Sequence, residues 1–181
     1  ANLVSFYALP EDLYIGNIMS SIEESVIGVI GEGTAATYTG DIWVGSLQDV
    51  DALSGYWLKL NQSDVLNLNG SLVDPNSVYS LHSGSNLVSY PFMGSALIDE
   101  TLPIDASQYI TGIIGEGSAA NHLPNGMWVG SLQELEGTNG YWMMTTQSID
   151  FSYIPPNGMA RNSINQYVYD IPEEYKIIQS T

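Results

Sequence analysis

The chain has 181 residues, of which 44% are hydrophobic and 13% are charged, so it can bury a core without disulfides or metal ions. Lys and Arg together number 3 against 20 Asp and Glu, which gives a formal net charge of -17. Because nucleic acids and anionic membrane surfaces are bound through cationic side chains, this composition nearly excludes both as partners.

The absence of cysteine and the shortness of the apolar runs exclude further kinds of site and location. The sequence contains no cysteine, which removes disulfides, thiolate metal sites and cysteine nucleophiles. No apolar run approaches the ~20 residues of a membrane span, so we expect no membrane insertion. Salt shortens the Debye length to about 4–5 Å near half-molar ionic strength and would weaken the self-repulsion of so acidic a chain. We therefore predict an extracellular or cell-surface location, or alternatively a virion.

The first part of the chain reads as a small α+β unit. An apolar, aromatic run at 3–7 predicts a strand, and the proline and two acids that follow are typical of a helix start. An apolar stripe at i, i+3, i+4 and i+7 then predicts a helix of about three turns; it consists of Ile15, Ile18, Met19 and Ile22. Short runs separated by Gly, Asn and Asp predict four further strands, at 26–30, 42–45, 56–60 and 65–68.

The second part repeats these elements behind a lead-in strand and turn at 78–85. Pro103 falls inside the second helical region, so that helix should be shorter or displaced. The segment after residue 153 follows no part of the pattern, and we predict a strap or an outgoing linker there. The strands predicted for this part lie at 87–90, 110–114, 127–129, 141–145 and 149–153.

Four sequence blocks recur in the same order, 84 or 85 residues further along the chain. They are NLVS (2–5 and 86–89), GEGTAA or GEGSAA (31–36 and 115–120), WVGSLQ (43–48 and 128–133) and GYW (55–57 and 140–142). Such a set indicates a tandem duplication. We predict a β-rich α+β fold of two homologous units, each with one short helix and about five strands, related by a pseudo-twofold axis. The predicted units cover 1–75 and 76–155, with the strap at 156–181.

The stretches LHSGSNLVSYP, GVIGEGTAA, WVGSLQ and SGYWLKL together resemble a known kind of tandem repeat module. That module occurs in large secreted or surface proteins of marine bacteria and in marine metagenomic and phage-like sequences. The resemblance extends to about residue 153. It implies a non-catalytic accessory module of a larger protein, with no assigned function. The sequence begins at Ala1 without a methionine, and from this too we expect a piece of a larger polypeptide.

The repeated GEG loops carry Glu32 and Glu116, which a twofold axis could bring together as a carboxylate pair. Aspartic proteases use two carboxyl groups that share one proton. Here, however, glutamate replaces aspartate, a glycine intervenes and the loop ends in alanines. We favour the simpler interpretation, in which the glycines supply positive φ at a strand-ending turn. A glutamate-pair hydrolase is a distant third hypothesis, and we predict no enzyme and no catalytic residue.

The repeated aromatic residues suggest either a ligand site or a core. Aromatic faces stack on sugar rings, and a neighbouring carboxylate accepts hydroxyl hydrogen bonds, so a glycan site in each copy is one interpretation. The other is core packing, which we favour for Trp57 and Trp142, while Trp43 and Trp128 lie beside glycines and loops and stay evenly balanced. The candidate ligand-binding residues are Trp43, Trp128, Glu32, Glu116, Tyr56 and Tyr141.

Metal and cofactor motifs are not visible in the sequence. His82 and His122 occupy non-equivalent positions without metal-ligand spacing, and no nucleotide-binding loop is present. The acidic spots at 49–51 and 74–76 could take calcium weakly, although solvated turns explain them better. We therefore predict no metal site and no cofactor beyond weak surface calcium.

Our leading functional hypothesis is a non-catalytic extracellular accessory module that serves adhesion, carbohydrate binding or display. Its partner would be a glycan or another cell-surface ligand. The alternative is a structural or receptor-contact domain of a marine phage particle, in which duplicated β-rich units act as spacers.

Overall fold

The computed structural model describes residues 1–156 and the backbone of residues 175–178. Within these residues the protein is β-rich, with several antiparallel sheets and a few short helices, which confirms the coarse fold class. The first part of the chain contains β1 (Asn2–Val4), β2 (Ala8–Leu9), α1 (Ile15–Ile18), a 3-10 turn (Ser20–Ile22), β3 (Val26–Ile30), β4 (Ala35–Tyr38), β5 (Trp43–Gly45), β6 (Tyr56–Leu60), β7 (Val65–Leu68) and β8 (Ser71–Leu72).

The later part of the chain contains β9 (Tyr79–Leu81), β10 (Gly84–Val88), β11 (Ser95–Leu97), α2 (Ile98–Thr101), α3 (Ile104–Ser107), β12 (Ile110–Gly115), β13 (Ser118–His122), β14 (Trp128–Gly130), β15 (Glu134–Glu136), β16 (Tyr141–Thr145), β17 (Ile149–Phe151) and β18 (Tyr175–Ile178). Residues 157–174 and 179–181 of the predicted strap lie outside the described residues.

Two five-stranded antiparallel sheets repeat one another in strand order. The first sheet has the order β1-β6-β3-β4-β5, and the second has the order β10-β16-β12-β13-β14. The pairing register shifts between Val26 and Gly28 in β3 and again between Ile110 and Gly112 in β12, which are positions 84 residues apart. A bulge bends its strand and increases the local twist, so both sheets carry the same distortion at matching places.

The first predicted helix is shorter than its apolar stripe suggested. Ile15, Ile18, Met19 and Ile22 are all buried, as the stripe predicts, but one α-helical turn and one 3-10 turn place them there. The second helical region is split into α2 and α3, and Pro103 is the N-cap residue of α3. Proline cannot donate a backbone hydrogen bond inside a helix, which explains the split and confirms the prediction of a shorter helix.

The hydrophobic side chains form two clusters, one in each part of the chain. The first lies under β3, β6 and β7, and the second lies under β12, β16 and β17. Each Å² of apolar surface removed from water stabilises the fold by ~25 cal/mol, so these clusters are the main source of stability. Of the described helices, none is long and apolar enough to cross a membrane.

Two strands were not predicted from the sequence, β4 and β13, and each forms a hairpin with the strand before it. Both follow the GEG loop and are rich in alanine, so they lack the apolar run that marks a strand. Gly33 and Gly117 adopt φ of 68° and 69° in these two hairpin turns. The expectation of positive φ is therefore confirmed for the second glycine of each GEG loop, whereas the first glycines, Gly31 and Gly115, do not have positive φ.

Candidate functional site

The two glutamates of the GEG loops hold the first strand of the other repeat. The Glu32 carboxylate accepts a hydrogen bond from the backbone N–H of Leu87 at 2.7 Å, and Glu116 accepts one from the N–H of Leu3 at 2.8 Å. Leu3 and Leu87 are both buried, so each carboxylate satisfies a donor that water reaches poorly. Each glutamate thus has its own backbone partner and fastens one repeat to the other.

Two glycines of the repeated GYW blocks complete this contact. The Gly55 N–H donates to the Leu87 carbonyl at 3.1 Å, and the Gly140 N–H donates to the Leu3 carbonyl at 3.1 Å. A Cβ added at Gly55 would lie 2.9 Å from the Val88 carbonyl oxygen and 3.2 Å from the Gly140 Cα. The backbones therefore approach so closely at this junction that only glycine fits without displacing a neighbour.

The junction is not electrostatically equal on its two sides. His82 Nε2 lies 2.6 Å from Glu32 Oε1, and the His82 Nδ1 lies 2.9 Å from the Ser83 carbonyl oxygen. These two hydrogen bonds, first to Ser83 and then to Glu32, raise the pKa of His82 above its ordinary 6.5. No cationic side chain of residues 1–156 pairs with Glu116. Among the described side chains, therefore, a histidine pairs with Glu32 but none pairs with Glu116.

The two tryptophans of the WVGSLQ blocks are half-buried and pack against the two hydrophobic clusters. Trp43 faces Tyr38 across β4 and β5, with ring centroids 5.3 Å apart, and Trp128 stacks on His122 at 4.6 Å. The Trp43 Nε1 is buried without a hydrogen-bond partner among the described residues. Each repeat thus carries an aromatic pair near the open edge of its sheet.

The tyrosines and the remaining tryptophans take different positions. Tyr56 and Tyr141 are buried, and their hydroxyl oxygens accept hydrogen bonds from the N–H groups of Asp51 and Glu136. Burial is the main cause that raises the pKa of both tyrosines to about 12. These two rings therefore have a packing role. Trp57 and Trp142, for which a core position was favoured, are only half-buried and lie outside both clusters.

A surface pocket of about 480 Å³ opens beside the Tyr38–Trp43 pair. Its walls are formed by Glu23, Glu24, Val26, Ile27, Tyr38, Gly40 and Asn61. Partial desolvation first, and then the nearby negative charges of Glu23 and Asp41, raise the pKa of Tyr38. The pocket combines an aromatic ring, two carboxylates and an amide.

This pocket was not predicted, because its residues come from three separate stretches and form no motif. They belong to the turn before β3 and the start of β3, to the end of β4 and the loop that follows it, and to the loop after β6. The signal in the sequence was the alignment of Tyr38 with His122, an aromatic position that differs between the copies. In the second copy Ser107, Gln108 and Thr146 stand where Glu23, Glu24 and Asn61 stand in the first. The acidic character of the pocket thus belongs to the first repeat.

The acidic spots considered for calcium serve backbone turns. The Asp51 carboxylate accepts a hydrogen bond from the Leu53 N–H, and the Asp74 carboxylate accepts one from the Asn76 N–H. A hydrogen bond between an aspartate side chain and the backbone N–H two residues later stabilises the turn locally. Among the residues that the structure describes, no group of three or more His, Asp or Glu side chains is arranged to hold a metal ion.

Comparisons with known proteins return no match: no protein-family model, no curated protein and no solved structure is significantly similar to the chain.

Proposed function

We propose that the chain is a non-catalytic binding module whose first repeat binds neutral carbohydrate in the pocket beside Tyr38. The observation that carries this proposal is the combination of an aromatic ring, two carboxylates and an amide around one opening. Sugar rings stack their C–H faces on aromatic rings, and their hydroxyl groups donate to carboxylates and pair with amides.

The charge of the pocket favours a neutral sugar over a charged ligand. Glu23 and Glu24 repel phosphorylated, sulfated or uronic acid groups, and the pocket walls contain no Lys or Arg to offset them. A metal ion would need oxygen ligands that converge, which the described residues do not provide. The open shape of the pocket fits recognition of a chain end or a side branch with modest affinity.

The test is a binding measurement with neutral oligosaccharides, by glycan array and then by calorimetry. Tyr38→Ala and Asn61→Ala should each weaken binding by about fivefold, because stacking and amide contacts are each worth roughly 1 kcal/mol. His122→Ala is the matched control, since it removes the equivalent ring of the second repeat. Absence of binding to any neutral glycan, or an equal loss in the control, would refute the proposal.

We place this module in a larger secreted or surface protein, where it serves adhesion or display, as the resemblance to marine repeat modules implies. We further infer that its two repeats dock about an approximate twofold axis. The reciprocal contacts support this, because Glu32 with Leu87 mirrors Glu116 with Leu3. The axis would be refuted if an experimental structure failed to superimpose residues 2–70 on 86–155.

A second candidate is a structural or receptor-contact domain of a phage particle. The observation that favours it is the junction itself, which is built from backbone hydrogen bonds and close glycine contacts and therefore resists bending. A spacer needs such rigidity, whereas a single glycan pocket does not. Regular oligomers in solution, seen by light scattering and electron microscopy, would favour this reading over the binding module.

A further inference from the structure

Each repeat contains a strand that pairs with a short partner outside the five-stranded sheets. In the second repeat β17 pairs antiparallel with β9, and in the first repeat β7 pairs antiparallel with β18. The sequences QS at 62–63 and 147–148 align the approaches to β7 and β17 at an offset of 85. The strand β9 precedes its repeat, whereas β18 comes from far behind the first repeat. The equivalent edges of β17 and β7 thus pair with an earlier strand in one case and with a later strand in the other.

The strand β7 has one covered edge and one edge that needs a strand. The N–H and carbonyl of Asn67 both hydrogen-bond to the Ser21 hydroxyl, at 3.0 and 3.4 Å. The Val65 N–H donates to Asp64, and the Val65 carbonyl accepts from the Asn67 amide. Backbone groups of alternate residues point to opposite edges. Those of Leu66 and Leu68 therefore point to the edge where β18 pairs.

The segments that fill the two edges resemble each other in sequence. The lead-in reads VYSLHS at 78–83, and the C-terminal segment reads EYKIIQS at 174–180, so each has a tyrosine followed two residues later by Leu or Ile. In the register of the structure Tyr79 lies opposite Phe151, while Tyr175 lies opposite Leu68. Under the repeat alignment these registers differ by two residues, a shift that keeps the same residues on the same face.

We propose that the edge of β7 on which β18 lies is a strand-addition site, which takes the β18 strand of a second copy of this chain in exchange for its own. The site recognises an extended strand, whichever way that strand is connected to the rest of the chain. The equivalent edge of β17 shows this, because its partner β9 comes before it in the sequence, whereas β18 comes after β7. Exchange of an identical element between copies costs little, since the same contacts form in both arrangements. The proposal does not depend on carbohydrate binding.

The test uses two full-length single-cysteine chains, which is practical because the natural sequence has no cysteine. One chain carries Asn67→Cys and the other carries Lys176→Cys, at positions that lie opposite each other in the ladder. The backbone groups of Asn67 point away from β18, so this is a non-hydrogen-bonded pair, which has the spacing that a disulfide requires. The two chains are mixed at high concentration, warmed to allow exchange, cooled and oxidised.

The expected result is a reducible mixed dimer that contains one chain of each kind. A mixture of Asn67→Cys with Ile177→Cys, one register position away, is the matched control, and a Ser80→Cys/Asp150→Cys chain confirms that oxidation closes such a pair. Equal yields from the test and control mixtures would overturn the proposal. So would a disulfide that forms only within a chain carrying both cysteines.

A second version of the Asn67→Cys chain, with a weakened β18 strand of its own, makes the test more decisive. Adding Ile177→Pro to the Asn67→Cys chain removes the N–H opposite Leu66 and weakens the acceptor's own strand. We expect the yield of mixed dimer to rise by about tenfold, because the tethered competitor is lost. An unchanged yield would contradict exchange at this edge. If the proline variant fails to fold, as judged by circular dichroism, the mixture without proline decides the question.

Discussion

Replacement of Glu116 by alanine tests whether the repeated glutamate fastens the repeats. The change removes the acceptor for the Leu3 N–H, a buried donor held at 2.8 Å. A buried donor without a partner costs about 1–3 kcal/mol, and the exposed carboxylate of Glu116 lets water replace part of the contact. We therefore expect a loss of ~1–2 kcal/mol in the free energy of unfolding, which corresponds to a fall of roughly 2–8 °C in melting temperature.

The assay is thermal and urea unfolding followed by circular dichroism at fixed salt. Glu11→Ala is the control, because it removes the same charge from an exposed position that has no hydrogen bond among the described residues. This control matters since removing one acid from a chain of net charge -17 relieves repulsion and stabilises slightly. Glu116→Gln keeps an acceptor and should fall between the two. Equal melting temperatures for Glu116→Ala and Glu11→Ala would refute the reasoning.

Three further outcomes are expected. Gly55→Ala should destabilise by about 1–3 kcal/mol in urea unfolding, because its Cβ would lie 2.9 Å from a backbone oxygen, and a wild-type midpoint would contradict this. Because the pKa of His82 is raised in the folded protein, the stabilisation from its bond to Glu32 is complete below pH 6.5 and is lost as the pH rises through the folded pKa. The melting temperature of the natural protein should therefore exceed that of His82→Gln at acidic pH, and the difference should shrink at alkaline pH. Ultraviolet titration should show Tyr56 and Tyr141 ionising only near pH 12, and ionisation near pH 10 in the folded protein would show that they are not buried.

Elements with a strong apolar pattern were predicted well from the sequence. The strands Val26–Ile30, Tyr56–Leu60 and Tyr141–Thr145 have the predicted bounds, because β-branched and aromatic residues favour an extended backbone. The strand Ala35–Tyr38 was missed, since alanine and threonine form it only when a neighbouring strand offers a ladder. The first helix was predicted too long because an apolar stripe specifies which residues are buried and not the kind of helix that buries them.

The candidate site was predicted only in part, because its chemistry depends on contacts between distant residues. The partner of Glu32 is the backbone N–H of Leu87, and a backbone donor leaves no trace in the sequence. The carboxylate could therefore be found by its repetition, but its role could not. Tyr38 was not singled out, since it differs from its counterpart His122, and a search for repeated residues passes over a position that differs.

The residues that repeat and the residues that differ between the two copies lie in different places in the fold. The repeated blocks supply the residues of the junction, in which Glu32, Gly55 and their counterparts bind the opposite repeat. The residues of the pocket differ between the copies, as Glu23 and Ser107 do. A residue held by a partner in the other repeat cannot change without cost to both units, whereas a residue that faces solvent is free to change. The repeated blocks therefore supply the contacts between the two parts of the chain, whereas the residues around the pocket differ between the two copies of the sequence.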